Sequence, residues 1–166
     1  MKKNFSKTQK LTISAMVMAI YIVVLYFTQS FSFGAYQIRI ATALYALAYF
    51  CPFLVLPLGL ANFIANALFG GLGLLDMMGG CLVGMAASGC IAAIKRFRLP
   101  KICIVLVITF IPGLGVACWL SYCLSVPYGA LAVSLCIGQF VPAVCGCVFV
   151  TVLEKRWNPE QRIAKV

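Results

Sequence analysis

The chain has 166 residues, 64% of them hydrophobic, with a mean hydropathy of +1.07 and a net charge of +10. A soluble domain runs nearer about 45–50% apolar, so lipid is the solvent this sequence suits. A spanning helix needs about 20 apolar residues, which leaves room for about six helices and none for a soluble catalytic module. Because twelve of the thirteen Lys and Arg flank the apolar runs, they mark membrane orientation and set nucleic acid aside as a partner.

The first apolar run, Leu11 to Phe27, follows Lys2, Lys3, Lys7 and Lys10. It exceeds a signal-peptide core and lacks a small-x-small cleavage site, so an uncleaved helix is expected over 11–30. Ala15-x-x-x-Ala19 lies in its inner half, and such small-residue stripes let another helix approach closely. Phe31 to Tyr36 (FSFGAY) reads as an outer loop, either a lid or an interfacial aromatic anchor.

The run 40–70 is long for one span and short for two, and Pro52 and Pro57 interrupt it. Loop charges decide the count. The basic N-terminus and the loop Lys95, Arg96, Arg98, Lys101 both belong on the cytoplasmic side, so residues 40–94 must cross an odd number of times. Three crossings fit, over about 40–53, 54–70 and 74–94. Two more, over about 102–123 and 130–153, return Lys155, Arg156, Arg162 and Lys165 to the inside. The expected fold is an all-α integral membrane bundle of six helices. It forms a single domain over 1–166 with both termini cytoplasmic.

Within this hydrophobic body only Arg39 and Asp76 are charged. A charge at bilayer depth costs at least about 2.5 kcal/mol, so such residues pair, line a wet cavity or bind something. The topology puts Arg39 at the outer end of the second predicted span and Asp76 at the outer start of the fourth. Two accounts follow: an ion pair pinning two helices, or a polar pocket open to the outside. Asn62 and Asn66, four apart, share a helix face; Gln37 and Thr42 flank Arg39, and Gln139 lies a few turns into the last span. Together these groups suit a flat, hydrogen-bonding heterocycle better than a bare ion or a lipid. Tyr45 and Tyr49 read as packing residues and Trp119 as an aromatic-belt residue. The stripe Gly80, Gly84, Ser88 reads as a helix contact.

Other chemistries lack their residues. There is no histidine, and the nine cysteines sit in apolar runs without zinc spacing, so no metal and no cofactor is expected. An odd cysteine count also argues against a disulfide framework. No nucleophile–base set or paired carboxylate suggests catalysis. Gly70-Gly71-Leu72-Gly73 is followed by no Gly-Lys-Ser/Thr, so it is not a phosphate loop, and any ATP-driven step must come from a partner. Asp76 alone keeps a small proton- or cation-coupled carrier in view, and a non-transport scaffold is the third class.

The stretch Gln37-Ile-Arg-Ile-Ala-Thr-Ala-Leu, with Asn62 to Gly80 (NFIANALFGGLGLLDMMGG), resembles the QueT family. These are substrate-binding S components of energy-coupling factor (ECF) transporters associated with queuosine precursors. The resemblance implies a multi-pass protein of a bacterial cell membrane. Its partners would be a transmembrane coupling subunit and two cytoplasmic ATPases. Its ligand would be a 7-deazaguanine compound or another vitamin-like heterocycle. It sets Gln37, Arg39, Thr42, Asn62, Asn66 and Asp76 in a segment that resembles a ligand-binding one, so that these and Gln139 are the expected substrate-binding residues, and it implies docking of the coupling subunit at Ala15 and Ala19. The family pattern often reads Q-x-R-x-(S/A)-E-A-L; here Thr42 stands at the acidic position, which leaves Asp76 as the one carboxylate near the expected pocket.

Overall fold

The computed structural model describes residues 5–33, 37–70 and 72–157. Among these there is no strand. The chain runs through α1 (Lys7–Ser32), a 3₁₀ helix (Ile40–Tyr49), a 3₁₀ turn (Pro52–Leu54), α2 (Val55–Phe69), α3 (Leu74–Arg96), α4 (Ile102–Leu124) and α5 (Tyr128–Trp157). Among the described residues five helices are long and apolar enough to cross a membrane, counting Pro52–Phe69 as one. Large apolar side chains such as Leu11, Phe27, Leu82 and Tyr122 point outward, as lipid-facing surfaces require.

α1 begins with a capping box. Ser6 Oγ accepts from the Gln9 amide at 3.2 Å, and Gln9 Oε1 accepts from the Ser6 amide at 3.0 Å. The helix continues through Phe31 and Ser32, so the outer loop expected from Phe31 starts later, after the cap at Phe33. Residues 34–36 of the expected lid, Gly71, and the terminal Lys2, Lys3, Arg162 and Lys165 lie outside the described residues.

The main departure is the segment expected as an α-helix over 40–53. It is a 3₁₀ helix of ten residues, a length uncommon for that geometry. At about 2.0 Å rise per residue it covers about 20 Å, where an α-helix would cover about 15 Å. It stops because Pro52 forces Cys51 out of helical geometry, to φ −126, ψ 80. The segment packs against all five α-helices. Ala41, Tyr45, Ala46 and Ala48 are completely buried in it. Small residues permit this closeness: a Cβ on Gly146 of α5 would lie 3.1 Å from both the Ala43 carbonyl oxygen and Ala46 Cβ.

The 3₁₀ helix starts beside the end of α2 and the start of α3, where Arg39 bonds Asn66. It finishes beside the end of α3, where Lys95 Nζ lies 5.1 Å from the Tyr49 ring and 4.7 Å from that of Phe50. The turn into α3 depends on Gly73 at φ 81, ψ −167, a region open only to glycine. That turn brings Asp76 into the first turn of α3, where the helix dipole favours a carboxylate.

A buried polar cluster as candidate functional site

The ends of α2 and α3 converge on Arg39, and all three contribute buried polar groups. Arg39, Asn66 and Asp76 are 4%, 2% and 5% exposed. The Arg39 guanidinium donates through Nη2 to Asn66 Oδ1. Asn66 Nδ2 in turn donates to the Asp76 backbone carbonyl at 3.0 Å. Arg39 and Asp76 make no direct ion pair; among the described residues the ion pair is Lys101–Glu154, at the other end of the bundle. Of the two accounts, the direct pinning pair is not formed; the Asn66 amide bridges the two residues instead. One Asp76 oxygen, Oδ1, accepts from Trp119 Nε1 at 3.1 Å. The other, Oδ2, faces Gly70, where an added Cβ would stand 2.9 Å away.

A second branch runs to α5. The Thr42 hydroxyl lies 2.7 Å from the Arg39 carbonyl and 2.9 Å from Gln139 Oε1, two acceptors for one proton. Gln139 Nε2 donates to the Gln37 carbonyl at 3.3 Å, and Gln37 holds a left-handed φ of 42. A third branch goes deeper. Asn62 Nδ2 donates to Tyr45 OH at 2.9 Å and to the Gly80 carbonyl at 2.7 Å, and Tyr45 OH is 3.3 Å from Tyr21 OH. In a 3₁₀ helix residues three apart eclipse, so Arg39, Thr42 and Tyr45 follow one row along the segment.

The α3 stripe that sequence suggested for helix contact forms a wall of this cluster. A Cβ on Gly80 would stand 2.5 Å from Asn66 Nδ2 and 3.3 Å from Asn62 Oδ1; one on Gly84 would stand 3.0 Å from Tyr45 OH. Likewise Gly79 leaves space for the Trp119 indole, which would otherwise lie 2.8 Å from a Cβ.

Beside the cluster lies a cavity of about 260 Å³, lined by Phe33, Gln37, Gly70 and leucines of α4 and α5. Phe33 also lies 5.1 Å from the Arg39 guanidinium, within cation–π range. Gln37, Gly70 and Phe33 therefore connect the cavity to the polar groups behind it.

All seven residues expected to bind substrate lie in this cluster, Asn62 reaching the rest through contact at Gly80 rather than through a hydrogen bond. Three others were missed. Trp119 near a span end carries a belt signature, and its partner lies 43 positions away. Tyr45 reads as packing in the sequence, although its three-residue spacing from Thr42 is a usable signal. Phe33 falls in the expected loop, whereas the structure puts it at a helix cap. Ala15 and Ala19 lie apart from the cluster, on the exposed face of α1.

Fold and site together define a helical membrane protein with a buried polar site near one end of its bundle. The family model for the QueT transporter matches residues 11–155. The chain belongs to the QueT transporter family and is a transport protein rather than an enzyme. No curated protein and no solved structure matches it.

Proposed function

We propose that this chain is the substrate-binding S component of an ECF importer, and that its polar cluster takes up a queuosine precursor of the 7-deazaguanine class. The observation that carries this is the buried Arg39–Asn66–Asp76 chain, extended by half-buried Trp119, beside a cavity. A purely structural brace would close its polar groups on one another. Here one Asp76 oxygen faces cavity-lining Gly70, and two buried side-chain atoms of the cluster lack partners. A compact planar ring with donors and acceptors suits such a site. The cavity sits just below the range of about 300–1,000 Å³ typical of drug-sized ligands, in keeping with a small one.

The chain crosses the bacterial cell membrane six times, with both termini cytoplasmic and the cluster on the outer side. The 3₁₀ helix serves as the second crossing, a role supported by its reach from Asn66 to Lys95. A coupling subunit docks on α1 at Ala15 and Ala19, and two cytoplasmic ATPases supply the energy. Exposure of both alanines leaves that face free for a partner helix.

Two measurements test the proposal. Thermal unfolding of the purified chain should shift upward with queuine, its aminomethyl or nitrile precursor bases, or queuosine; no shift with any of them removes the substrate class. The double substitution Ala15→Leu, Ala19→Leu should abolish cellular uptake while preserving that thermal shift. Normal uptake would contradict the docking role.

A further inference from the structure

Within the cluster, Arg39 Nε and Asn62 Oδ1 are buried and have no hydrogen-bond partner. Buried polar atoms are partnered in the great majority of cases, so two orphans in one cluster call for an explanation. They are of opposite kind: Nε–H is a donor and Oδ1 an acceptor. They also flank one group. Asn66 Oδ1 holds the Arg39 guanidinium, while Asn66 Nδ2 and Asn62 Oδ1 both lie within 3.3 Å of the point where a Gly80 Cβ would stand. The orientation of each amide is set by neighbours with fixed polarity. The Gly80 and Asp76 carbonyls can only accept, so they take Asn62 Nδ2 and Asn66 Nδ2. Asn62 Oδ1 is left turned away from them.

We infer that Arg39 Nε–H and Asn62 Oδ1 are the specificity pair for a lactam edge, an adjacent ring C=O and N–H, of the transported heterocycle. This rests on the cluster being the substrate site. The lactam oxygen accepts from Arg39 Nε–H, and the lactam N–H donates to Asn62 Oδ1. A ring with the reversed pattern, an amino group beside an unprotonated ring nitrogen, sets donor against donor and acceptor against acceptor. Phe33 lines the cavity and also lies 5.1 Å from the guanidinium, which makes it the side chain shared by the cavity and Arg39. Sites built to hydrogen-bond a ligand reject analogues that cannot do so, because their own buried groups stay unpaired.

Calorimetric titration of the full-length purified chain with three bases tests the pair. 7-Deazaguanine and 7-deazahypoxanthine carry the lactam; 7-deazaadenine has the reversed edge. Both lactams should bind, and 7-deazaadenine should be weaker by on the order of 10⁴-fold, hence undetected. Equal binding of 7-deazaadenine and 7-deazahypoxanthine overturns the specificity pair but leaves the deazapurine site standing. If none of these bases binds while queuosine does, the ring edge is not what is read, and the pair is again overturned. Failure of every compound removes the parent proposal as well. In Asn62→Leu the preference for the lactam should collapse; should that variant fail to fold, the three-base comparison on the unaltered chain still decides.

Discussion

The two ends of the bundle use polar residues in opposite ways. At the end that carries Lys95 and Lys101, the groups are partly solvated: Lys101 pairs with Glu154 at 34% and 26% side-chain exposure, and Lys95 rests over Tyr49 and Phe50. Such contacts bind the ends of α3, α4, α5 and the 3₁₀ helix at small energetic cost and with small gain. At the other end, Arg39, Thr42, Asn62, Asn66, Asp76 and Gln139 are all at most 5% exposed. Burying polar groups is unfavourable unless they are fully bonded, and Arg39 and Asn62 each keep an unpartnered atom. A helix bundle seeking stability alone would fill that space with apolar side chains. The contrast therefore separates an end whose contacts hold helices together from the end that the proposed function assigns to recognition.

Substitutions ordered by expected effect can break or sharpen that contrast. Arg39→Leu strands the Asn66 carbonyl oxygen and removes the cation; it should lower stability by about 1–3 kcal/mol and eliminate ligand-induced stabilisation, both read from thermal melts with and without a 7-deazaguanine base. Gly80→Ala drives a Cβ into the Asn66 amide, 2.5 Å away. Overpacking of this kind costs about 1–3 kcal/mol, and titration should show weakened binding although no bonding group is removed. Trp119→Phe keeps an aromatic ring near Gly79 while shrinking it and deleting the donor to Asp76; a loss of roughly tenfold in affinity corresponds to one net hydrogen bond of about 1.4 kcal/mol. Lys101→Ala, at the opposite end, should change stability by about 0–1 kcal/mol and leave the dissociation constant unaltered. A large binding defect from Lys101→Ala, with little from Arg39→Leu, would reverse the assignment of the two ends.

The long helices and the two costly charges were readable in the sequence for a shared reason. Hydrocarbon solvent penalises every exposed backbone group and every stray charge, so apolar runs and their exceptions carry strong signals. Arg39 and Asp76 stood out on that ground, and loop charges suggested a common side for both. The 3₁₀ geometry was not readable. Ile40 to Tyr49 has the composition of an ordinary apolar α-helix, and its tighter winding depends on being enclosed by five neighbours and cut short before Pro52. Nor could the sequence decide between an Arg39–Asp76 pair and an indirect link. The answer lay in Asn66, whose amide reaches the guanidinium on one side and the Asp76 carbonyl on the other. Gly80 and Gly84 read as helix-contact residues because a small-residue stripe looks the same whether it admits a helix or a pair of asparagine side chains.

Trp119 offers the most direct probe of the central claim, since its indole nitrogen bonds the Asp76 carboxylate. The chain has two tryptophans, Trp119 and Trp157, so Trp157→Phe leaves one reporter inside the proposed site. Titrating that variant with a 7-deazaguanine base should produce a saturable change in Trp119 emission, and adding Arg39→Leu should abolish it. A base that binds by calorimetry without altering Trp119 emission would place the substrate elsewhere and contradict the account.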